Sequence, residues 1–317
     1  MKASFIVTVY NEESTIKQLL KSLFFQSKFP DEIILVDGGS SDQTISKIKF
    51  QISTLKDQKN TKIKVLIKKG NRSIGRNEAI KNANNEIIAC SDAGCTLDKN
   101  WVRNIVEPFN DSKIDVVAGY YRGKAKTIFQ KCLIPYVLVM PDKVDENNFL
   151  PASRSMAFKK SVWKRAGGFP EEFSDNEDYV FVKQLKKMKV NIVFEKKAIV
   201  YWKPRSNIKD SFIMFYRFAK GDAESHIFRP KVILLFSRYI IGLLFIVFYV
   251  SSKSYLILNI LYSLFSIYIF WSIHKNYKYV NNFRALFYLP IIQFISDIAV
   301  MLGTIKGILY FKNKNAK

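Results

Sequence analysis

Five side chains stand where chemistry is easiest to place. Asp37 closes an apolar run at 32–36 and precedes Gly38 and Gly39. Paired glycines permit a tight turn and a close backbone approach to a ligand. The carboxylate there could accept hydrogen bonds from a base or a ribose; the plainer alternative is an Asx turn capping the next helix. Arg76 falls in the first turns of a helical stretch, 73–84. It could pair with a diphosphate or lie on a solvated helix face. Asp92 follows the apolar run 86–90 and has small residues after it. A lone carboxylate presented this way suits Mg2+ or Mn2+ bridged to phosphate oxygens, or is a turn residue. Glu177 and Asp178 open a pattern running toward Leu185, and the bland reading of the pair is a solvated helix start.

These residues need a scaffold, and the periodicity supplies one. Residues 4–9, 32–36, 63–67, 86–90 and 116–118 read as strands. Helical patterns at 14–25, 44–50, 73–84 and from Asp98 to about 109 alternate with them. Ser14 and Asp98 are the expected helix caps. Strands alternating with helices predict an α/β fold with a doubly wound, mostly parallel sheet. In such sheets ligands bind at the carboxyl ends of strands. The clusters YNEE, DGGSSDQT and SDAG follow the first, second and fourth strands, so they fall on one edge.

The chain has 317 residues, a net charge of +23 and 48% hydrophobic residues, which excludes disorder. Cys90, Cys95 and Cys132 form no CxxC pair, so a disulfide scaffold and zinc chemistry are not expected. His226 and His274 are isolated. The apolar run at the N-terminus is too short for a signal peptide. Residues 231–317 hold ten basic residues and one acid, Asp297, and read as apolar stretches between basic loops. Residues 255–273 are uncharged and long enough to span a bilayer. Residues 232–250 contain Arg238, expected to snorkel toward the interface. Residues 286–303 contain Pro290 and Asp297, which suggests a kinked span or a segment that dips in and returns. Three spans, with residues 1–230 cytoplasmic, would put Lys306, Lys312, Lys314 and Lys317 outside, against the positive-inside rule. An interfacial third stretch removes that conflict. The expected organisation is a domain at 1–230 (halves 1–120 and 121–230) followed by a membrane region at 231–317. The basic excess suits anionic membrane lipids, and no motif supports nucleic-acid binding.

The set SFIVTVYNEE, DEIILVDGGSSDQT, GRNEAI and IACSDAG resembles the family 2 glycosyltransferases with their nucleotide-diphospho-sugar transferase (GT-A) fold. The resemblance covers residues 3–120 and continues through LPASRSMAFKKSVWKRAGGFPEEFSDNEDYVF. It implies a bacterial membrane-associated, inverting enzyme that moves a sugar from a nucleotide donor, UDP favoured, to a glycan or lipid-linked acceptor. Thr8, Tyr10 and Glu12 would border the base and ribose, Asp37 would contact uracil or ribose, and Arg76 would sit near the diphosphate. Asp92 matches the first carboxylate of the family's DxD metal motif. Asp178 matches the carboxylate that serves as catalytic base. Gly94 replaces the second DxD carboxylate, which puts the divalent cation in question. Glu177, Trp202 and Arg205 are expected on the acceptor side, although the loop 202–205 could equally be an anchor. The stretch 212–229, aromatic and basic, could be an interfacial helix feeding a lipid-linked acceptor or packing between domain and membrane. No QxxRW motif is present, which favours one or a few transfers. A membrane-tethered, non-catalytic sugar-nucleotide binder is the competing reading. The absence of GxGxxG after the first strand excludes a dinucleotide dehydrogenase.

Overall fold

The computed structural model describes residues 1–55 and 61–315. It divides into two compact units, residues 1–124 with 139–203, and residues 125–138 with 204–317. The boundary expected at residue 230 falls inside the second unit.

The first unit is one sheet covered by helices. In chain order its elements are β1 (Ala3–Val9), α1 (Ile16–Phe24), β2 (Glu32–Asp37), α2 (Thr44–Leu55), β3 (Lys62–Ile67), α3 (Arg72–Lys81), β4 (Ile87–Cys90), β5 (Cys95–Leu97), α4 (Trp101–Val106) and β6 (Val116–Gly123). After α5 (Ile128–Val137), which belongs to the second unit, come β7 (Met156–Lys159), α6 (Lys160–Arg165), α7 (Glu177–Lys187) and β8 (Ile192–Trp202). The strand order is β3-β2-β1-β4-β7-β6-β8-β5. Strands β3, β2, β1 and β4 run parallel, as the β/α alternation requires. Beyond β4 the sheet is mixed: β7 is antiparallel to both β4 and β6, β6 and β8 are parallel, and β5 is antiparallel to β8.

Apolar residues on alternate faces explain the layers. Ile6, Ile34, Val36, Ile88, Met156 and Phe158 form one core cluster with Ile80 of α3 and Phe181 and Leu185 of α7. Residues 192–202 hide their strand from sequence patterning because Glu195, Lys196 and Lys197 interrupt it. The structure shows why the interruption is tolerated. The β6–β8 register jumps between Gly119 and Tyr120, from Glu195 to Ile199, so the polar residues bulge out. Gly119 permits this crowding: a Cβ there would lie 2.1 Å from Ser155 Oγ and 2.7 Å from the Ala198 carbonyl oxygen. Two expected caps shift by a residue or two. Helix α1 is preceded by Thr15 rather than Ser14. Helix α4 is preceded by Asn100, whose N–H is accepted by Asp98.

The second unit is helical: α5, α8 (Ile208–Glu224), α9 (Pro230–Ser252), α10 (Tyr255–Val280) and α11 (Ala285–Asn315). Three helices are long and apolar enough to cross a membrane, Pro230–Ser252, Tyr255–Val280 and Ala285–Tyr310. The third apolar stretch is a single helix that runs through Pro290 without turning back. Pro290 lies near its amino end, where only one intrahelical bond is lost. Arg238 does not stand alone as a snorkelling cation. Its guanidinium donates to Asp297, which also accepts from Tyr239, Tyr268 at 2.9 Å and Gln293 at 2.8 Å. Each of the two charges in the apolar stretches is therefore the other's counterion, which removes the main cost of either. The Lys312 and Lys314 side chains and Lys317 lie outside the described residues.

Helices α8 and α11 run parallel at close range. A Cβ on Gly303 would lie 2.3 Å from the Tyr216 carbonyl oxygen. One on Gly307 would lie 2.6 Å from the Lys220 carbonyl oxygen and 2.7 Å from the Ala223 Cβ. Small residues four apart allow this backbone approach.

Candidate active site

Local sequence brings the loops after β1, β2 and β4 to one edge of the first unit. Parallel pairing sets Val9 beside Asp37 and Ile6 beside Cys90. Asn11, at φ 53°, accepts from the Ser41 N–H at 2.9 Å, and the Glu12 N–H donates to Thr44 Oγ1 at 2.8 Å. Asp37 is buried, and its carboxylate accepts from the N–H groups of Gly39 (3.0 Å) and Ser40 (2.9 Å) and from Ser40 Oγ (2.5 Å). It thus holds its own turn in the Asx manner. Tyr10 is 61% exposed and lies beside Gly38. Thr8 is half-buried, and Gly75 of α3 presses on it: a Cβ at Gly75 would lie 2.7 Å from Thr8 Cγ2.

Helix α3 delivers Arg76 into the interior. Asn71 caps the helix, accepting from the Ile74 N–H at 3.1 Å. Asn77 pins the loop after α6 through the Phe169 N–H (2.9 Å) and carbonyl (2.8 Å). Gly167 and Gly168 turn that loop at φ 78° and 87°. Arg76 is 1% exposed, with Phe169 against its guanidinium at 5.4 Å. Its Nη1 donates to Glu177 Oε1 at 2.5 Å; its Nη2 donates to Asp92 Oδ1 at 3.0 Å and Ser153 Oγ at 2.9 Å. Ser153 in turn meets Asp178: its N–H donates to Asp178 Oδ2 at 3.1 Å, and its Oγ lies 3.2 Å from the same oxygen.

Four of the expected residues, Arg76, Asp92, Glu177 and Asp178, therefore share one network. Burial opposes the Arg76 charge, but Glu177 and Asp92 outweigh it and hold the guanidinium firmly protonated. Burial also opposes ionisation of Asp92, yet Arg76 foremost, then Arg72 and Arg154, bring its carboxyl below the ordinary value. Glu177 goes the other way: burial pushes it up, Asp178 adds to that, and Arg76 only partly offsets it. The neighbouring thiols are bystanders. Burial foremost pushes Cys90 and Cys95 up to about 12, far from a reactive thiolate.

Sequence patterns did not single out Ser153, Arg154 or Arg72. A lone serine or arginine ahead of a strand has no telling spacing, and only the folded neighbourhood marks it. The Arg154 guanidinium lies over the rings of Trp202 (5.4 Å) and Tyr121 (5.8 Å). Arg72 is exposed one turn before Arg76. Trp202 belongs to the first unit and Arg205 to the second.

Among the described residues no group of three His, Cys, Asp or Glu side chains forms a metal cluster. What the edge offers is one carboxylate whose side-chain bonds run to Oδ1, with open space where a Cβ on Gly94 would stand. That donor set fits a cation shared with a ligand's phosphate oxygens and does not fit a site made by protein alone. An open cleft at the opposite edge, lined by Lys2, Asp31, Glu32, Lys62, Asn84 and Asn85, offers less. Its buried carboxylate, Glu32, is already bonded to Ser4, Asn84 and Lys64.

The sheet, the loop edge and the acidic cluster define a nucleotide-sugar transferase fold, and comparison with known proteins agrees. The family described as Glycosyl transferase family 2 matches residues 4–161, and through that domain the chain belongs to the family. A poly-beta-1,6-N-acetyl-D-glucosamine synthase of Staphylococcus epidermidis is 26% identical over 230 residues, 70% of this chain and 54% of that protein. The chain thus spans about half the length of that relative. The O-antigen chain rhamnosyltransferase RfbN of Salmonella typhimurium is 24% identical over 63% of this chain and 66% of its own. Among solved structures, the mannosyltransferase PcManGT from Pyrobaculum calidifontis, in complex with GDP-Man and Mn2+, has a TM-score of 0.69 at 15% identity. That match covers 96% of this chain and 87% of the other. S. aureus TarS 1-349 in complex with UDP-GlcNAc has a TM-score of 0.51 at 24% identity, over 69% and 66% of the two chains. Residues 4–161 are thus a family 2 glycosyltransferase domain, and three helices of the chain are long and apolar enough to cross a membrane.

Proposed function

We propose that the chain transfers a sugar from a nucleotide-diphospho-sugar, UDP-linked by preference, to a hydroxyl of a glycan or lipid-linked acceptor, with inversion. One observation supports this above others. Asp92, on the β4 edge, and Asp178, at the start of α7, converge on a single serine at that edge. In this reading Asp92 would hold a divalent cation shared with the donor's diphosphate, and a cation there would supply neutralisation of the leaving group's charge. Asp178 takes the proton from the acceptor hydroxyl. Arg76, paired with the buried Glu177, holds the Asp92 carboxylate in place. Arg72 and Arg154 meet the diphosphate, being the cations that reach Asp92 from outside the buried pair. Thr8, Tyr10, Glu12 and the Asp37 turn line the nucleoside side, and Trp202 serves the acceptor.

The test is thermal unfolding of the detergent-solubilised full chain with UDP, GDP, CDP and dTDP, each with and without Mn2+ or Mg2+. A ligand specific to the folded state adds about 2.7 kcal/mol at a hundredfold excess over its Kd. One nucleotide should raise the Tm, the metal should enlarge the rise, and Asp92→Asn should remove the enlargement. No rise with any nucleotide in folded protein would move the assignment to a non-catalytic tethered protein.

Helix α8 supports one membrane placement. Its Lys209, Asp210, Arg217, Lys220, Asp222 and Glu224 bar it from hydrocarbon. Because α11 is pressed along it from Gly303 onward, that end of α11 lies at the same level. In this reading the end of α11 and the lysines there face the cytoplasm, in keeping with the positive-inside rule. A fluorescent protein fused after Lys317 should be bright, and an alkaline phosphatase fused there inactive. The reverse pair would place the C-terminus outside.

A further inference from the structure

Ser153 is 3% exposed and sits in a turn held at both ends. The Ser155 N–H donates to the Ala152 carbonyl at 2.9 Å, and Ser91 Oγ donates to the Arg154 carbonyl at 2.8 Å. The turn is thereby fastened to the residue next to Asp92. A serine hydroxyl has one proton to give and lone pairs to receive. Arg76 Nη2 donates to this oxygen at 2.9 Å, so an acceptor position is filled. The single proton faces two carboxylate oxygens at equal distance, Asp92 Oδ1 and Asp178 Oδ2, each at 3.2 Å. Asp92 Oδ1 already receives a charge-assisted bond from Arg76 at 3.0 Å, whereas Asp178 Oδ2 receives a neutral one from the Ser153 N–H. The hydroxyl therefore has more to offer Asp178.

We propose that Ser153 is a positioning residue for the transfer reaction, orienting the Asp178 carboxylate through its backbone N–H and its hydroxyl and tying it to the donor-side Asp92. This rests on the reading of Asp178 as the base. Ser153 touches neither donor nor acceptor in this scheme and acts through Asp178. Alanine keeps the backbone N–H and removes only the hydroxyl, so the variant isolates the side-chain bond.

The experiment uses the solubilised full chain with UDP-GlcNAc, UDP-glucose, GDP-mannose and dTDP-rhamnose plus Mn2+, reading release of nucleoside diphosphate. Ser153→Ala should lower kcat about tenfold, the scale of one hydrogen bond to a charged group. The KM for the donor and the UDP-induced rise in Tm should stay within about twofold of the parent values, since the donor contacts are untouched. Ser153→Thr, which keeps the hydroxyl, should recover most of the rate. In an Asp178→Asn background, Ser153→Ala should cost nothing further, because coupled residues are not additive. Should Ser153→Ala unfold, Ser153→Cys, similar in size but a poor donor, is read in its place. Parent-like kcat in Ser153→Ala (or in Ser153→Cys where that is read in its place), or a full additional loss on top of Asp178→Asn, overturns the role of Ser153 and leaves the base assignment standing. Parent protein without turnover on any donor, or an active Asp178→Asn, removes the base assignment and this proposal with it.

Discussion

Replacing Asp178 with asparagine should leave nucleotide binding intact and slow sugar transfer by roughly 10²–10⁴-fold, the usual contribution of a positioned base. The reason lies in what the substitution preserves. Asparagine has the shape of aspartate and retains a side-chain oxygen that can accept from the Ser153 N–H, now at 3.1 Å from Asp178 Oδ2. The Tyr179 N–H, which donates to Asp178 Oδ1 at 2.8 Å, belongs to the same helix end. The amide nitrogen takes the place of Oδ1 and forgoes the Tyr179 bond, a local cost at the first turn of α7. What is lost is the negative charge that draws a proton from an acceptor hydroxyl. The nucleotide-dependent rise in Tm should match that of the parent protein, while release of nucleoside diphosphate falls. Parent-like turnover in this variant would remove Asp178 from the chemistry.

The second large effect concerns stability. Arg76→Met should destabilise the fold at neutral pH by about 3–5 kcal/mol, the range for stripping one partner from a buried ion pair. That is on the order of 10 °C in Tm for a unit of this size. Glu177, with a side chain 3% exposed, would be left without its counterion. The pH dependence gives the sign. Burial, then Asp178, already raise the Glu177 carboxyl above its ordinary value of 4.5, and Arg76 opposes them. Without Arg76 it rises further. A carboxyl raised by folding penalises the folded state at every pH above its folded value, and the penalty fades as pH falls through that value. The deficit of Arg76→Met should therefore be largest near pH 8 and shrink toward pH 5. The parent protein should behave oppositely in acid. Its lowered Asp92 contributes stability above the ordinary value of 3.8 that is lost as pH falls through the folded value. A deficit of equal size from pH 5 to pH 8 would show that Glu177 is not the stranded charge.

Much of the site was legible from local pattern, for a definite reason. Each parallel strand of a β/α unit ends where its loop turns to the next helix. The polar runs after β1, β2 and β4 thus had to share an edge once the alternation was recognised. Asp37 and Asp92 were found this way, whereas Glu177 and Asp178, at the start of α7, were marked by the resemblance to the family's acidic pair. The far half of the sheet was less legible. Strand β8 is interrupted by its own bulge, β5 is three residues long, and β7 lies antiparallel between neighbours distant in sequence. Nothing in a window of ten residues reports such pairings.

Arg76 marks the division most clearly. Its position on a helix feeding β4 was visible in the sequence, and a diphosphate looked like its natural partner. The fold instead buries it against Glu177, 101 residues away, with Asp92 and Ser153 on its other arm. Arg238 repeats the lesson in the apolar helices, where its partner Asp297 lies 59 residues on. Sequence alone determined the elements of the parallel half, the loop edge, the resemblance to the family and the apolar stretches, because these follow from short-range periodicity and short motifs. Only the tertiary structure decided which charges neutralise one another and which serine links the two carboxylates. Such pairings depend on distances between segments far apart in the chain, and those distances exist only after packing.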